Sequence, residues 1–179
     1  MENGGWDQRC REGMVACFDT LALAERNDIL VFQTAPLEAD LEVTGLIQVK
    51  LWGSSSALDT DFTAKLVDVY PPNPDYATGF ELNIGDSIVR ARYRASLETA
   101  SLLRPGEIYP ITIRLYPTSN TFKKGHRIRV DISSSNFPRF DLNPNTGEPL
   151  QRHRRMNVAE NTIYLDSLHP SQIVLPVIP

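Results

Sequence analysis

Short apolar or alternating runs, separated by turn residues, dominate the sequence from about residue 28 onward. Alternate side chains of a strand point to the same face, so runs of this kind are typical of strands. They occupy residues 29–32, 46–52, 62–70, 89–94, 111–115, 127–132, 163–165 and 173–177. Helical periodicity is limited to the short, uncapped segments 21–26 and 95–103. About eight strands with almost no helix predict an all-β antiparallel fold, a sandwich or a barrel.

The composition is that of an ordinary globular domain. The chain has 179 residues, of which 41% are hydrophobic and 22% charged, and this excludes a disordered chain. A net charge of −4 and a pI near 5.4 argue against nucleic acid as a partner. No apolar run approaches the ~20 residues of a membrane span, and the N-terminus lacks a signal-peptide pattern. We therefore expect a cytoplasmic protein without a membrane partner.

The first 27 residues are poorly patterned. We predict that residues 1–27 form an irregular connecting arm and that residues 28–179 form one domain. Trp6 and the run 14–18 are the expected anchors of the arm. Cys10 and Cys17 have no partner at a recognised metal-ligand spacing, so we expect both to be reduced.

Arginine alternates with small or apolar residues in the predicted strands 89–94 and 127–132. This alternation predicts strands with one wet face, and Gly85 and Asp86 predict a turn ahead of the first of them. The arginines are expected to be solvated or salt-bridged. As an alternative, Arg90 and Arg92 belong to a surface that docks an acidic neighbouring domain.

The sequence has no Gly-x-Ser-x-Gly pentapeptide, which is the nucleophile signature of α/β-hydrolases. Gly85-Asp86-Ser87 and Asp166-Ser167-Leu168-His169 are similar to the pieces of a GDSL-type esterase. However, Ser87 leads directly into a predicted strand and not into a helix. An esterase built on Ser87, Asp166 and His169 needs these three groups within hydrogen-bonding distance of one another.

Metal and cofactor sites are not expected. The three histidines, His126, His153 and His169, have no second ligand at a zinc spacing. Residues 141–148 begin like an EF-hand loop, but the sixth position is Thr146 and the twelfth is Arg152. We therefore expect Asx-turns in this segment, without a cofactor.

The loop that follows the predicted strand 127–132 is the most unusual stretch of the chain. Its candidate binding residues are Asn136, Phe137, Arg139, Phe140 and Asp141. Aromatic and arginine side chains on a loop held by a rigid sandwich are common interface anchors. The two phenylalanines are equally well explained as a cover over the open end of the core, and both interpretations stay open.

Seven blocks in order carry a family resemblance. They are residues 51–56 (LWGSSS), 59–69, 86–94, 105–109, 125–133, 136–141 (NFPRFD) and 169–171 (HPS). The blocks resemble the C-terminal domain of the X-Pro dipeptidyl-peptidase and cocaine-esterase-like (CocE/NonD) serine hydrolases. The resemblance implies a jelly-roll β-sandwich of the galactose-binding-like type.

In that family the catalytic Ser, Asp and His lie in an upstream α/β-hydrolase domain with an inserted cap. The resemblance therefore implies no catalytic residue in this chain. It implies an accessory domain that packs on the catalytic and cap domains and helps to wall the substrate cleft. The α/β-hydrolase domain is the expected partner, with a homo-oligomer also possible. The alternative is a free-standing carbohydrate- or ligand-binding module with Trp52, Tyr93 and Phe137 as stacking residues.

Overall fold

A computed structural model describes Gln8, Arg9 and residues 22–179. Ten strands follow in chain order: β1 (Leu30–Gln33), β2 (Leu41–Gly45), β3 (Gln48–Ser55), β4 (Asp61–Tyr70), β5 (Phe80–Arg90), β6 (Tyr109–Arg114), β7 (Thr118–Phe122), β8 (Arg127–Ser133), β9 (Asn161–Tyr164) and β10 (Gln172–Val174). Single 3₁₀ turns cover Leu23–Glu25 and Ala91–Tyr93. Neither turn is long or apolar enough to cross a membrane.

The strands form two main antiparallel sheets and a short ribbon. The first sheet has the order β1-β8-β4-β5. In the second sheet β3 pairs with β6 along one side, and with β10 and β9 along the other. Strands β2 and β7 form the ribbon. This all-β sandwich confirms the predicted fold class, while the galactose-binding-like subtype stays a prediction.

The apolar core lies between the two main sheets. Phe62, Ala64 and Leu66 of β4 alternate along one face and pack into the same cluster as Val49 and Ile111 of the second sheet. These apolar residues follow the period of two that strand geometry imposes on side chains, although β4 is buried on both faces from Asp61 to Asp68. The core therefore uses one face of the first sheet, and the opposite face is left for polar residues.

Most predicted strands are confirmed. Strand β4 is central, as its apolar sequence predicts, because it pairs with β5 on one side and β8 on the other. Strands β2 and β7 were missed, since TSNTF in β7 lacks an apolar alternation. The segment 95–103 forms no helix, and the described residues 22–26 contain only the first 3₁₀ turn.

The predicted strand 89–94 is wrong at both ends. Strand β5 already begins at Phe80 and ends at Arg90, and Ala91–Tyr93 is a 3₁₀ turn. The cause is the length of the neighbouring strand: β4 begins at Asp61, which pairs with Arg90, so the next residues have no strand partner. The backbone N–H of Arg92 donates instead to the Asp59 carboxylate at 2.9 Å.

The predicted turn at Gly85 and Asp86 is also wrong, because both residues lie within β5. The register with β4 shifts at this point: Leu66 pairs with Gly85 and Val67 with Asn83, so one residue of β5 is extra. A glycine inside a strand is typical of such a bulge. The register then places Asp86 opposite Lys65 of β4.

The described part of the predicted arm contacts the first sheet. The Gln8 backbone N–H donates to the Glu81 carbonyl oxygen of β5 at 2.8 Å, and the Gln8 side chain accepts a 3.1 Å hydrogen bond from Lys65 Nζ. Trp6, the run 14–18 and both cysteines lie outside the described residues. The domain boundary at residue 28 stays a prediction.

We predict that Leu66→Ala lowers the free energy of unfolding by about 2–5 kcal/mol, because it opens a cavity in the core around a fully buried side chain. Urea unfolding followed by far-UV circular dichroism measures this loss. Leu97→Ala is the matched control, since Leu97 is 90% exposed and its truncation should change stability by less than about 0.5 kcal/mol. Equal effects of the two substitutions would contradict the assigned core.

Candidate functional site

A row of charged residues crosses the outer face of the first sheet. Lys65 of β4 lies in register between Asp86 of β5 and Asp131 of β8. All three side chains are buried. Arg129 of β8 adds ion pairs to Asp131 at 2.9 Å and to Glu81 of β5 at 2.8 Å. We call these five residues the polar face.

Arg129, the arginine of the polar face, is ion-paired, as one of the two predicted alternatives has it, but the face is not wet. Arg129 is only 1% exposed, and Asp131 is also buried. A buried charge is tolerated when an opposite charge and hydrogen bonds replace its water shell. Burial nevertheless raises the pKa of Asp131, although Arg129 opposes the rise. Polar-face charges are thus held in place by their partners.

The candidate loop after β8 is fastened to the polar face through Asp86. Asn136 Nδ2 donates to Asp86 Oδ2 at 2.6 Å, and Arg139 forms an ion pair with Asp86 Oδ1 at 2.7 Å. Farther along the loop, Asp141 forms an ion pair with Arg90 at 3.2 Å. The structure therefore brings Asn136 and Arg139 together around Asp86, a carboxylate that sequence reasoning did not select, and pairs Asp141 with Arg90 beside them.

The two phenylalanines of the loop differ in their surroundings. Phe137 is 52% exposed, whereas Phe140 is half-buried with the Arg139 guanidinium 5.6 Å from its ring centroid. Phe137 lines a cleft of about 480 Å³, together with Phe62 and Asn161. The Phe137 ring is thus about half exposed beside this cleft, and both interpretations of the two phenylalanines stay predictions.

A second polar cluster lies beneath the next part of the loop. Arg90 binds the Asp61 carboxylate with both its Nε (2.9 Å) and its terminal nitrogen (3.0 Å). Arg92 pairs with Asp59 at 2.7 Å. Asn143 Nδ2 donates to Asp59 at 3.0 Å and to Asp61 at 2.8 Å, which joins the two pairs. Burial raises the pKa of Asp61, while hydrogen bonds from Arg90 and Asn143 oppose the rise.

The buried position of Arg92 limits what it can contact. Its guanidinium also donates to the Glu148 carbonyl oxygen at 3.0 Å, so it supports the loop from beneath. The expected Asx-turn is present, because the Asn145 backbone N–H donates to Asn143 Oδ1 at 2.9 Å. The Asx-turn accounts for the position of Asn143 in this segment.

The structure does not assemble the esterase triad considered from sequence. His169 Nδ1 lies 3.1 Å from Asp166, on a loop that also contacts Trp52 of β3 in the second sheet. Ser87 lies in β5 of the first sheet, and in the described part of the chain no hydrogen bond joins it to His169. Ser87 is therefore not joined to the Asp166–His169 pair, and the three residues do not form a triad in the described structure.

The aromatic residues considered for ligand stacking are not presented as a platform. Trp52 is half-buried, with the His169 ring at 5.3 Å in an edge arrangement. Tyr93 is also half-buried, in the 3₁₀ turn after β5. Phe137 is the exposed one of the three, so the observed surface gives little support to the carbohydrate-binding alternative.

We predict that Arg92→Met lowers the free energy of unfolding by about 3–5 kcal/mol, because Asp59 would remain buried without its cation. Chemical denaturation at neutral pH measures the loss. Lys123→Met serves as the control, since the Lys123–Asp40 pair is exposed and should contribute little. If Arg92→Met lowers the free energy of unfolding no more than the control does, the burial of the Asp59 carboxylate does not require the charge of Arg92.

The buried position of Lys65 leads us to expect that the free energy of unfolding depends on pH. Burial lowers its pKa from 10.5 to about 8, although Asp86 and Asp131 oppose the shift and Arg139 and Arg129 add to it. Between pH 8 and about 10 the unfolded chain therefore binds more protons than the folded chain, so this lysine makes stability rise with pH.

We expect the stability of the wild type relative to Lys65→Met to increase by about 2 kcal/mol between pH 7.5 and 9.5. Urea unfolding of both proteins at pH 7.5, 8.5 and 9.5 measures the difference. Subtracting the variant removes the contribution of the tyrosines and of other lysines. A difference that stays constant would mean that Lys65 titrates normally.

Comparison with known proteins matches this geometry to a family. Residues 10–174 match the family described as the X-Pro dipeptidyl-peptidase C-terminal non-catalytic domain. The chain is 46% identical over 162 residues to a cocaine esterase from Rhodococcus sp., an alignment that covers 89% of this chain and 27% of the esterase.

Two solved structures have the same fold. An aminopeptidase from a marine sediment archaeon of the Thaumarchaeota aligns with a TM-score of 0.83 and 33% identity, over 87% of this chain and 27% of that one. An α-amino acid ester hydrolase aligns with a TM-score of 0.82 and 34% identity, over 87% and 26%. The chain thus spans about a quarter of the proteins it matches, and it belongs to the family of non-catalytic C-terminal domains of X-Pro dipeptidyl-peptidases.

Proposed function

We propose that this chain is the accessory domain of a larger serine hydrolase. In this proposal it packs on the α/β-hydrolase catalytic and cap domains, and residues 136–141 form part of the wall of the substrate cleft. The parent enzyme cleaves ester or amide bonds through an acyl-serine intermediate. The observation that carries the proposal is a rigidly fastened loop with an exposed aromatic ring at Phe137.

The relatives support the class of the parent enzyme. The proteins that this chain matches are named as an esterase, an aminopeptidase and an ester hydrolase, and each is about four times as long as the matched part. The family itself is described as non-catalytic. A role in positioning and in substrate contact fits this description better than a reaction within the chain.

The loop has the chemistry of a cleft wall. The Phe137 ring offers apolar contact, and the Arg139 side chain, 36% exposed, presents a cation on the same short segment. Asp86 and Arg90 fix the loop from the side of β5, so little side-chain and backbone freedom remains to be lost on binding. In this proposal Arg92 does not contact the substrate; its guanidinium supports the neighbouring loop through the Glu148 carbonyl oxygen.

The test is a chimera in which this chain replaces the matching segment of the Rhodococcus cocaine esterase. We expect the isolated chain to hydrolyse 4-nitrophenyl esters no faster than buffer, and the chimera to hydrolyse them. Phe137→Ala in the chimera should raise KM about threefold to tenfold with little change in kcat, because the loss of apolar contact weakens ground-state and transition-state binding alike.

Leu97→Ala in the same chimera is the matched control, since Leu97 lies exposed on the turn that follows the 3₁₀ segment. It should leave KM unchanged. Turnover by the isolated chain would overturn the accessory role. If Phe137→Ala leaves the KM of an active chimera unchanged, residues 136–141 do not form part of the wall of the substrate cleft.

A further inference from the structure

The surface next to the candidate loop carries an unusual combination of charge and exposed apolar residues. We define the arginine loop as residues 145–158. It contains Arg152, Arg154 and Arg155 but one carboxylate, Glu148, in a chain whose net charge is −4. Met156 is 58% exposed and Val158 is 95% exposed.

The base of the arginine loop is closed and anchored. Asn145 Nδ2 donates to the Asn157 carbonyl oxygen at 2.8 Å, and the Asn157 backbone N–H donates to the Pro144 carbonyl oxygen at 2.9 Å. Arg92 holds Glu148 from below. A loop whose ends are fastened in this way presents its side chains as an Ω-loop does, at a low entropic cost of binding.

The arginines of the loop are available for a partner. Among the residues that the structure describes, no guanidinium group of Arg152, Arg154 or Arg155 lies within ion-pair distance of a carboxylate. The Glu148 carboxylate is engaged by the Thr146 hydroxyl and the Arg154 backbone N–H. Arginine and methionine are both enriched in the buried parts of protein interfaces.

We propose that the arginine loop is a docking surface for the catalytic part of the parent hydrolase, and that the facing surface presents carboxylates around an apolar depression. This inference rests on the proposed accessory role. About three quarters of the length of each matched protein lies outside the part that this chain covers. A partner covalently linked in the same way would be present at a high effective concentration.

The charge pattern disfavours other occupants. In a two-fold contact between identical copies the same patch meets itself, so three arginines would face three arginines. The phosphates of a nucleic acid would complement the charge of the arginines, but they would leave Met156 and Val158 without an apolar partner. The chain as a whole is also acidic, which disfavours nucleic acid. An acidic and apolar protein surface satisfies both features of the loop.

The experiment uses the chimera with the Rhodococcus esterase. Simultaneous Arg152→Glu, Arg154→Glu and Arg155→Glu should lower kcat/KM about tenfold or more and lower the thermal midpoint by about 5 °C, because like charges would meet at the interface. High salt should reduce this deficit by screening. In the isolated chain the same substitutions should leave the urea midpoint unchanged.

The control carries the same change of charge elsewhere. Lys50→Glu, Arg114→Glu and Lys124→Glu alter three exposed residues outside the arginine loop, and we expect near-wild-type activity and midpoint. If the chimera is active and the three Arg→Glu substitutions in the arginine loop affect it no more than the control substitutions do, the docking inference alone is overturned. A chimera without esterase activity would overturn the accessory role and the inference together. Dimerisation of the isolated chain that the loop reversal abolishes would assign the surface to a second copy instead.

Discussion

A charged side chain that is removed from water is stable only beside an opposite charge, and the first sheet buries a whole row of such side chains. Lys65 lies between Asp86 and Asp131 because three antiparallel strands place these positions in register. The apolar core on the other face fixes that register, since a shift of one residue would exchange the two faces. The sandwich and its charged outer face therefore depend on each other.

The same need for partners extends the structure beyond the sheet. The buried Asp86 carboxylate needs hydrogen-bond partners, and the loop after β8 supplies Asn136 and Arg139. Asp59 and Asp61 are likewise satisfied by residues of the following loop and of the turn after β5. Satisfying buried charges is thus what orients the loops at this end of the sandwich, and these loops are the ones proposed to meet the rest of a hydrolase.

Sequence reasoning predicted the fold because β4 and its neighbours have clear apolar patterns. It placed β5 wrongly because the alternation of arginines continues past Arg90, where the neighbouring strand has already ended. Local pattern carries no information on the length of a partner strand. The candidate loop was found from its own composition. Its anchor Asp86 was missed, because the contact joins residues 50 positions apart.

The hydrogen bond from the Gln8 backbone to Glu81 has a practical meaning for how this domain is excised. Among the described strands, β5 forms an edge of the first sheet. The Gln8 backbone N–H occupies the Glu81 carbonyl on that edge, while the Gln8 side chain accepts a hydrogen bond from Lys65. A fragment cut at residue 28 loses both contacts. Uncovered edges recruit strands from other molecules, so such a fragment is expected to precipitate more readily than the longer chain.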